Sequence, residues 1–342
     1  LETQEVLNFI QNKTILITGA GGSIGSEICR QLVALEPKKV ILIDHSEYNL
    51  YNIGWELEHT YHYKNFESML INVSDRNSME LVFINHNPDV VFHAAAYKHV
   101  PLLETQILQA VQNNFFGTKT VAELSTKYKC EKFILISTDK AVNPTNIMGA
   151  TKRMAEMFCQ NLNRYSNTSY ITVRFGNVLD SAGSVVPIFK KQLQQGGPLT
   201  VTHPDITRFF MSIPEASQLV LQAAAMGEGG EIFVLDMGQP IKISSLAERI
   251  ITLSGQRPYK DIDIIFTGLR PGEKLYEELF YQSENHNPTQ RKKIFLAQSK
   301  TSNFSFLKEK IETLENTLTS KDEVKVLKII CEIVPEAKIA CI

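Results

Sequence analysis

KTILIT at residues 13–18 is an apolar, β-branched run that leads directly into GAGGSIG at residues 19–25. Gly19, Gly22 and Gly25 fit the pattern GxxGxxG, whereas GxGxxG fails because Ile24 stands where it needs a glycine. Glycines permit a tight turn and let backbone N–H groups approach a pyrophosphate at a helix N-terminus. Because the motif lies between a predicted strand and a predicted helix, it indicates a dinucleotide-binding turn in which Ser23 and Ile24 also contact the coenzyme.

Short apolar runs continue to alternate with helical patterns through the first two-thirds of the chain. Predicted strands after the first are KVILID (39–44), SMLINV (68–73), DVVFH (89–93), KFILIS (132–137) and SYITVRF (169–175). Helical spacing fills the intervals, most extensively at Ile107–Tyr128. Near-continuous apolar strands with helical crossovers predict an α/β fold with a doubly wound parallel sheet of the Rossmann type.

After residue 176 the alternation of strands and helices becomes irregular, and Gly and Pro interrupt the segments. Ile232–Asp236 is then predicted to be a strand that returns to the sheet. This change predicts a dinucleotide-binding Rossmann domain and a smaller, discontinuous substrate-binding domain. The first is expected to comprise residues 12–176 and about 209–237, and the second about 177–208 and 238–342. Its C-terminal part is expected to be an amphipathic helical tail with Phe306, Ile311 and Leu314 on one side. The ligand is expected in the cleft between them, at the carboxyl edge of the strands.

Composition excludes several classes of protein. The 342 residues are 43% hydrophobic, and Lys+Arg 35 against Asp+Glu 37 gives a formal net charge of −2. Without a basic excess, nucleic acid is not an expected partner. The five cysteines form no CxxC pair and are interpreted as thiols in a reducing compartment. Histidine spacing predicts no metal site.

The length of the apolar runs bears on the location of the protein in the cell. No run approaches the ~20 residues that span a bilayer, so a cytoplasmic location is expected. Since the sequence begins at Leu1 rather than Met, a membrane segment upstream of this chain stays open, as in a cytoplasmic part of an inner-membrane protein.

Asp44 ends the second predicted strand, 19 residues after Gly25. A carboxylate there accepts hydrogen bonds from the adenosine ribose 2′-OH and repels a 2′-phosphate, so NAD is favoured over NADP. The alternative is an ordinary acidic residue before a turn.

Six motifs together resemble the nucleotide-sugar 4,6-dehydratases of the extended short-chain dehydrogenase/reductase superfamily. They are TGAGGSIGSE (18–27), HAAAYKHVP (93–101), STDKAVNPTNIMGATK (137–152), RFGNVL (174–179), TRFFM (207–211) and GLRPGEKLYEEL (268–279). The resemblance covers about residues 12–279 and is greatest to bacterial UDP-N-acetylglucosamine 4,6-dehydratases. It implies a tightly bound NAD that is regenerated in each cycle and UDP-N-acetylglucosamine as substrate. By analogy with other Rossmann enzymes, a homodimer is expected.

The superfamily normally carries Tyr-x-x-x-Lys, with the tyrosine as the base. Here Lys152 occupies the lysine position and Met148 stands in place of the tyrosine. A thioether has no proton to exchange, so Met148 cannot act as that base. Met148 therefore marks either a nucleotide-binding protein without catalysis or the branch that replaces tyrosine with methionine, which resembles the type that retains configuration at C5.

That branch keeps Asp-Lys after a threonine, and Thr138, Asp139 and Lys140 fill these positions. We expect Asp139 to act as the acid at the C6 oxygen and Lys140 as the base at C5. Thr138 and Asp139 would act on the C4 hydroxyl in place of the tyrosine. Adjacent strand residues point to opposite faces, so Asp139 and Lys140 share a ligand only where the strand ends and turns.

The resemblance also implies binding residues. Coenzyme contacts are expected from Asn72, Val73, Ala94, Ala95, Lys98 and Lys152, and substrate contacts from Glu104, Asn177, Arg208, Arg270 and Glu273. The two arginines suit a diphosphate, because a planar guanidinium recognises it well. Asn177 would donate to a phosphate oxygen and Glu273 would accept from the uridine ribose. Each of these residues taken singly also fits a surface salt bridge. The competing function is a UDP-sugar 4-epimerase of the same superfamily, which needs the tyrosine and has no use for Asp139 and Lys140.

Overall fold

The computed structural model describes residues 2–281, 284, 286–297 and 303–339. Its strands in chain order are β1 (Thr14–Thr18), β2 (Lys39–Asp44), β3 (Phe66–Leu70), β4 (Val90–His93), β5 (Lys132–Thr138), β6 (Ser169–Phe175), β7 (Asn177–Val178), β8 (Leu199–Val201), β9 (Thr207–Arg208), β10 (Phe210–Met211), β11 (Ile232–Leu235), β12 (Ile241–Lys242), β13 (Ile264–Phe266), β14 (His286–Pro288) and β15 (Ile294–Ala297).

The helices in the same residues are α1 (Glu2–Ile10), α2 (Ser23–Val33), α3 (Glu47–His59), α4 (Arg76–His86), α5 (Val100–Leu103), α6 (Ile107–Ala110), α7 (Gly117–Lys127), α8 (Ile147–Asn163), α9 (Val185–Gln194), α10 (Ile213–Met226), α11 (Ile243–Leu253), α12 (Phe304–Ser320) and α13 (Glu323–Ile333). A π-helical turn, Val111–Phe116, joins α6 to α7, so the predicted long helix is present with a local widening. A 3₁₀ turn, Asp139–Ala141, follows β5 directly.

A nine-stranded sheet among the described residues forms the centre of the molecule. Its strand order is β14-β15-β11-β6-β5-β4-β1-β2-β3. Strands β1 to β6 and β11 are parallel, while β15 runs antiparallel to both of its neighbours. The sequence explains the parallel centre, because runs such as TILIT in β1 are buried along their whole length and need cover on both faces.

Helices cover both faces of this sheet. One face packs against α4, α6, α7, α8, α12 and α13, and its core includes Leu16, Phe83 and Phe133. The opposite face packs against α1, α2, α3 and α10, with Ile15 and Ile17 of β1 in that core. The predicted doubly wound α/β fold is therefore confirmed.

A third hydrophobic cluster lies in a smaller region formed by α9, α11 and two short sheets. Strand β8 pairs with β13 in parallel, and β9 pairs with β12 antiparallel. The core of this region includes Phe189, Leu199, Ile251 and Ile264. The division into two domains and their boundaries stay a prediction.

The residues after 285 differ from the predicted division of the chain. Sequence analysis assigned them to the smaller domain, but β14 and β15 extend the large sheet through β11. Leu307 and Ile311 of α12 and Ile330 of α13 belong to the core of the large sheet. Backbone pairing and apolar packing decide this placement, which the local sequence pattern does not carry.

Two further expectations can be compared with the structure. Cys29, Cys130 and Cys159 are free and buried, whereas Cys331 is disulfide-bonded, which the interpretation as thiols did not anticipate. Cys341 lies outside the described residues. Among the helices described, none is both long and apolar enough to cross a membrane.

Candidate active site

A cavity of about 790 Å³ opens at the carboxyl ends of the central strands. Gly19 follows β1, Ala94 follows β4, Thr138 ends β5 and Asn177 follows β6, and all four line this cavity. This is the edge at which an open parallel sheet binds its ligand. Sequence-predicted residues that line it are Gly19, Gly22, Ser23, Ile24, Gly25, Ala94, Lys98, Thr138, Lys140, Met148, Lys152 and Asn177.

The glycine turn between β1 and α2 has no room for a side chain at Gly19, Gly21 or Gly25. Gly19 has φ +66°, and a Cβ there would stand 2.7 Å from the backbone nitrogen of Ala95. A Cβ on Gly25 would stand 2.0 Å from the carbonyl oxygen of Gly19. The turn is therefore closed tightly against α2 and the end of β4, and it leaves a bare backbone facing the cavity, as a pyrophosphate requires.

Asp44 fixes the glycine turn from the neighbouring strand. Its Oδ2 accepts a hydrogen bond from the backbone of Gly21 at 2.9 Å, and its Oδ1 accepts one from Ser46 at 2.9 Å. A carboxylate oxygen has two lone pairs, so each of these oxygens retains capacity for a ribose hydroxyl. Asp44 is not among the residues that line the cavity, and its discrimination between NAD and NADP stays a prediction.

Asn72 and Val73 follow β3, and neither is among the residues lining the cavity. Asn72 Oδ1 accepts hydrogen bonds from the backbone and hydroxyl of Ser74, at 2.9 and 2.8 Å. Val73 is buried against Gly117. Lys98 does line the cavity, and burial lowers the pKa of its ammonium.

The end of β5 brings Thr138, Asp139 and Lys140 together, because the 3₁₀ turn begins immediately after the strand. Asp139 Oδ1 accepts hydrogen bonds from Thr138 Oγ1 at 2.9 Å and from Lys140 Nζ at 3.0 Å. Lys140 Nζ also donates to Asn177 Oδ1 at 3.0 Å. Asp139 Oδ2 is buried and has no hydrogen-bond partner; a Cβ on Gly176 would stand 3.1 Å from it. Thr138 and Lys140 reach the cavity, whereas Asp139 lies behind them.

Glu277 is a member of this cluster that the sequence analysis did not single out. Its Oε1 lies 3.7 Å from Lys140 Nζ and 3.9 Å from Arg208 Nε. Its Oε2 is buried without a hydrogen-bond partner. Burial and the nearby Asp139 raise the pKa of Glu277, against the opposing effect of Lys140 and Arg208. Glu277 lies in the GLRPGEKLYEEL motif, but nothing in its local pattern distinguishes it from Glu278.

Lys140 therefore lies between two buried carboxyl groups. Burial by itself would lower the pKa of the Lys140 ammonium, but Asp139 and Glu277 outweigh burial and raise that pKa. A lysine must be neutral to accept a proton, so the resting cluster holds Lys140 in the form that cannot act as a base.

Helix α8 presents Met148 and Lys152 to the same cavity, because residues four apart share a helix face. Burial lowers the pKa of Lys152 to about 8, partly opposed by the Glu156 carboxylate. The helix begins at Asn146, whose Oδ1 accepts from the Gly149 backbone at 2.8 Å. A Cβ on Gly149 would stand 2.1 Å from the Lys140 carbonyl oxygen, so α8 packs closely on the Asp139–Ala141 turn.

The predicted substrate residues have three different surroundings. Glu104 Oε1 accepts a hydrogen bond from the Ile147 backbone at 2.7 Å, and burial raises the pKa of Glu104. Arg208 is buried, and its Nη2 lies 3.3 Å from Glu273 Oε1. Arg270 is exposed, and its backbone N–H donates to Glu273 Oε2 at 3.1 Å. Glu277 joins Arg208 to Lys140, so the predicted substrate residues Arg208 and Glu273 lie in one cluster with Lys140.

The family described as "Polysaccharide biosynthesis protein" matches residues 15–299, which include the glycine turn, the Thr138–Lys140 cluster and the loop that carries Glu277. The chain belongs to this family. Its nine-stranded sheet has the doubly wound Rossmann fold. In the part of the chain that the structure describes, no group of three His, Cys, Asp or Glu side chains could hold a metal ion.

Relatives and solved structures share most of this chain. It is 54% identical over 287 residues to "Probable polysaccharide biosynthesis protein EpsC" from Bacillus subtilis, covering 84% of this chain and 48% of that protein. It is 51% identical over 323 residues to "Capsular polysaccharide biosynthesis protein CapD" from Staphylococcus aureus, covering 94% and 53%. The chain thus spans about half the length of these two relatives. The crystal structure of Pen from Bacillus thuringiensis is 32% identical, with a TM-score of 0.78 over 86% of this chain and 92% of that one.

Proposed function

We propose that this protein catalyses the NAD-dependent 4,6-dehydration of UDP-N-acetylglucosamine to UDP-2-acetamido-2,6-dideoxy-4-hexulose, for the synthesis of a surface polysaccharide or glycan. The observation that carries the proposal is the cluster of Thr138, Asp139 and Lys140 at the cavity, beside Met148 where a tyrosine would otherwise stand. The names of EpsC and CapD support a role in polysaccharide synthesis.

The residues present fit a dinucleotide. A Cβ at Gly19 or Gly25 would collide with backbone in the turn, which is the arrangement that keeps a phosphate cradle free of side chains. Gly22, Ser23 and Ile24 would hold the pyrophosphate, Asp44 the adenosine ribose and Lys152 the nicotinamide ribose. When bound, NAD supplies reversible hydride transfer with the sugar. Asp44 favours NAD over NADP.

The side chains at the end of β5 supply the proton transfers. Thr138 relays the C4 hydroxyl proton to Asp139, whose Oδ1 it contacts at 2.9 Å. The ketone at C4 acidifies the hydrogen at C5, and Lys140 in its neutral form accepts that proton. Asp139, which lies behind Thr138, then passes its proton through the Thr138 hydroxyl to the C6 oxygen, which leaves as water. After the double bond is reduced at C6, Lys140 returns a proton to C5, so the side chains end as they began.

Binding of the nucleotide part is assigned to the other cluster residues. Arg208 and Arg270 would contact the diphosphate, Asn177 a phosphate oxygen, Glu273 the uridine ribose and Glu104 the sugar. Arg208 must exchange part of its contact with Glu273 for the diphosphate, since the two are paired at 3.3 Å. A homodimer and a cytoplasmic location stay predictions of the sequence.

The deciding experiment incubates the protein with UDP-N-acetylglucosamine in D₂O, without added NAD, and follows the sugar by NMR. A 4-keto-6-deoxy product with deuterium at C5 is expected, and the coupling at C5 reports whether configuration is retained. A C4 epimer without deuterium at C5 would instead establish the 4-epimerase. No reaction with this or other UDP-sugars, even after NAD is added, would overturn the proposal in favour of a nucleotide-binding protein.

A further inference from the structure

Glu277 lies in the active-site cluster but outside the cavity lining, and the proton transfers described above make no use of it. Its carboxyl group is almost completely buried, with Oε2 lacking any hydrogen-bond partner. An unpaired buried carboxylate oxygen costs free energy, so its retention beside Lys140 needs an explanation.

Lys140 presents a related difficulty. Its Nζ contacts Asp139 Oδ1 at 3.0 Å and Glu277 Oε1 at 3.7 Å, an environment that favours the ammonium form. The base at C5 must be the neutral amine. A proton therefore has to leave Lys140 before the sugar can react, and it needs a destination inside a buried cluster.

We propose that Glu277 is this destination: it accepts the Lys140 proton, so that the neutral amine forms without release of a proton to solvent. The proton moves from Lys140 Nζ to Glu277 Oε1, converting ammonium and carboxylate into amine and carboxylic acid. The number of protons and the total charge of the cluster stay the same. Glu277 acts through Lys140 and is a positioning residue. As a contribution to catalysis, the inference rests on the proposed dehydration.

The surroundings of Glu277 support this role. Burial and the carboxylate of Asp139 disfavour the charged form of Glu277 and raise its pKa, which brings its proton affinity closer to that of Lys140. Arg208 and Lys274 act in the opposite direction. The charged groups that face Glu277 are therefore Asp139, Lys140, Arg208 and Lys274.

Sharing of one proton has a characteristic pH dependence. While the pair of Lys140 and Glu277 holds a single proton, the fraction of neutral amine is set by an internal equilibrium and does not change with pH. Once Glu277 cannot accept a proton, the neutral amine forms only by release of a proton to solvent. As long as the pH is below the pKa of Lys140, the fraction of neutral Lys140 then rises tenfold for each unit by which the pH increases. The slope against pH, rather than the level, distinguishes the two cases.

The first test does not depend on the reaction. Trace acetylation of Lys140 with acetic anhydride, measured by peptide mass spectrometry between about pH 6 and pH 8, reports its neutral amine, and Lys140 lines an open cavity. A nearly flat profile is expected in the wild type and a rise of about tenfold per pH unit in Glu277→Gln. If acetylation of Lys140 rises about tenfold per pH unit in both proteins, the proposal is overturned, whether or not the dehydration is confirmed.

The second test measures kcat for the dehydration over the same pH range. Glu277→Gln is expected to lower kcat at least about tenfold near pH 7 and to recover as pH rises, whereas Glu277→Asp keeps the flat profile. Glu278→Gln is the matched control, because Glu278 contacts Asn143 and Lys274 and does not reach Lys140. A uniform loss in Glu277→Gln with an unchanged pH profile would reduce Glu277 to a structural residue.

Retained NAD and the thermal midpoint are measured for every variant, to separate loss of folding from loss of function. If the wild type fails to dehydrate UDP-N-acetylglucosamine while its Lys140 profile is flat, the proposed reaction is wrong and proton sharing stands. If the wild type dehydrates UDP-N-acetylglucosamine while acetylation of Lys140 rises about tenfold per pH unit, proton sharing is wrong and the proposed reaction stands.

Discussion

Arg174 of β6 and Glu156 of α8 form a fully buried, bidentate ion pair, with Nε to Oε1 at 2.8 Å and Nη2 to Oε2 at 2.7 Å. Ser137, next to Thr138 in β5, also donates to Glu156 Oε1 at 2.6 Å. Glu156 lies four residues after Lys152, on the same side of α8. The pair therefore sets the position of α8, with Met148 and Lys152, relative to the strand end that carries Asp139.

Removing one partner of this pair should destabilise the fold. Glu156→Ala leaves the Arg174 guanidinium buried without its main partner, and we expect a loss of about 3–5 kcal/mol in the free energy of unfolding. Urea denaturation of the wild type and the variant measures it. Asp205→Asn, which breaks the exposed pair with Lys242, should cost less than about 1 kcal/mol. Equal effects of the two substitutions would contradict the assigned role.

The same pair predicts how stability depends on pH. Burial by itself would raise the pKa of Glu156, but Arg174 and Arg153 outweigh it and hold that pKa below its ordinary value. The resulting stabilisation is complete above the unfolded-state pKa, about 4.3, and is lost as pH falls through the lower, folded-state pKa. The urea concentration at the unfolding midpoint of the wild type should therefore decrease as the pH is lowered below about 4.3. The midpoint of Glu156→Gln should decrease less steeply over the same pH range. Parallel curves would show that Glu156 does not titrate with folding.

Asp139 and Lys140 should be required for dehydration. Asp139→Asn cannot exchange a proton with the C6 oxygen, and Lys140→Ala removes the base at C5, so each should lower kcat by about 10²–10⁴-fold. Turnover is measured by NMR on UDP-N-acetylglucosamine. Lys190→Ala is a control, since Lys190 is exposed and contacts Asp180. Turnover within tenfold of the wild type in either variant would refute the assigned roles.

Met148 should contribute shape rather than proton transfer. It is 4% exposed and lines the cavity, so Met148→Leu, which conserves volume, should keep kcat within a few fold and cost less than about 1.5 kcal/mol of stability. Steady-state kinetics and thermal unfolding measure the two effects. If a folded Met148→Leu loses more than a hundredfold in kcat, the thioether itself takes part in the reaction.

The glycine turn provides a graded test of coenzyme binding. A Cβ on Gly25 would stand 2.0 Å from the Gly19 carbonyl oxygen, whereas a Cβ on Gly22 would stand 3.2 Å from the same atom. Gly25→Ala must therefore move backbone and should purify without NAD, while Gly22→Ala should retain it partly. Absorbance of coenzyme released from purified protein measures occupancy. Equal retention in both variants would place the pyrophosphate elsewhere.

Helical periodicity predicts burial most reliably for residues that lie on one face of a helix. The predicted tail helix is present as α12, and Ile311 and Leu314 are buried as expected. Phe306, placed on the same face, is instead 42% exposed, and Leu307 is buried. Leu307 lies four and seven residues before Ile311 and Leu314, which is the spacing that one helix face allows; Phe306 does not share it.

The sequence by itself determined the parallel sheet, the glycine turn and the position of Asp139 and Lys140 at a strand end. Each of these follows from residues close together in the chain: a buried apolar run, a turn without side chains, or a strand followed by a helix.

Tertiary structure alone decided which groups surround Lys140. Glu277 is 137 residues away in sequence, and its approach depends on the path of a loop that local patterns do not specify. The same is true of β15, which joins the large sheet by backbone pairing with β11. Hydrogen bonding and burial of distant segments are settled only when the whole chain packs, and the charge around Lys140 is settled with them.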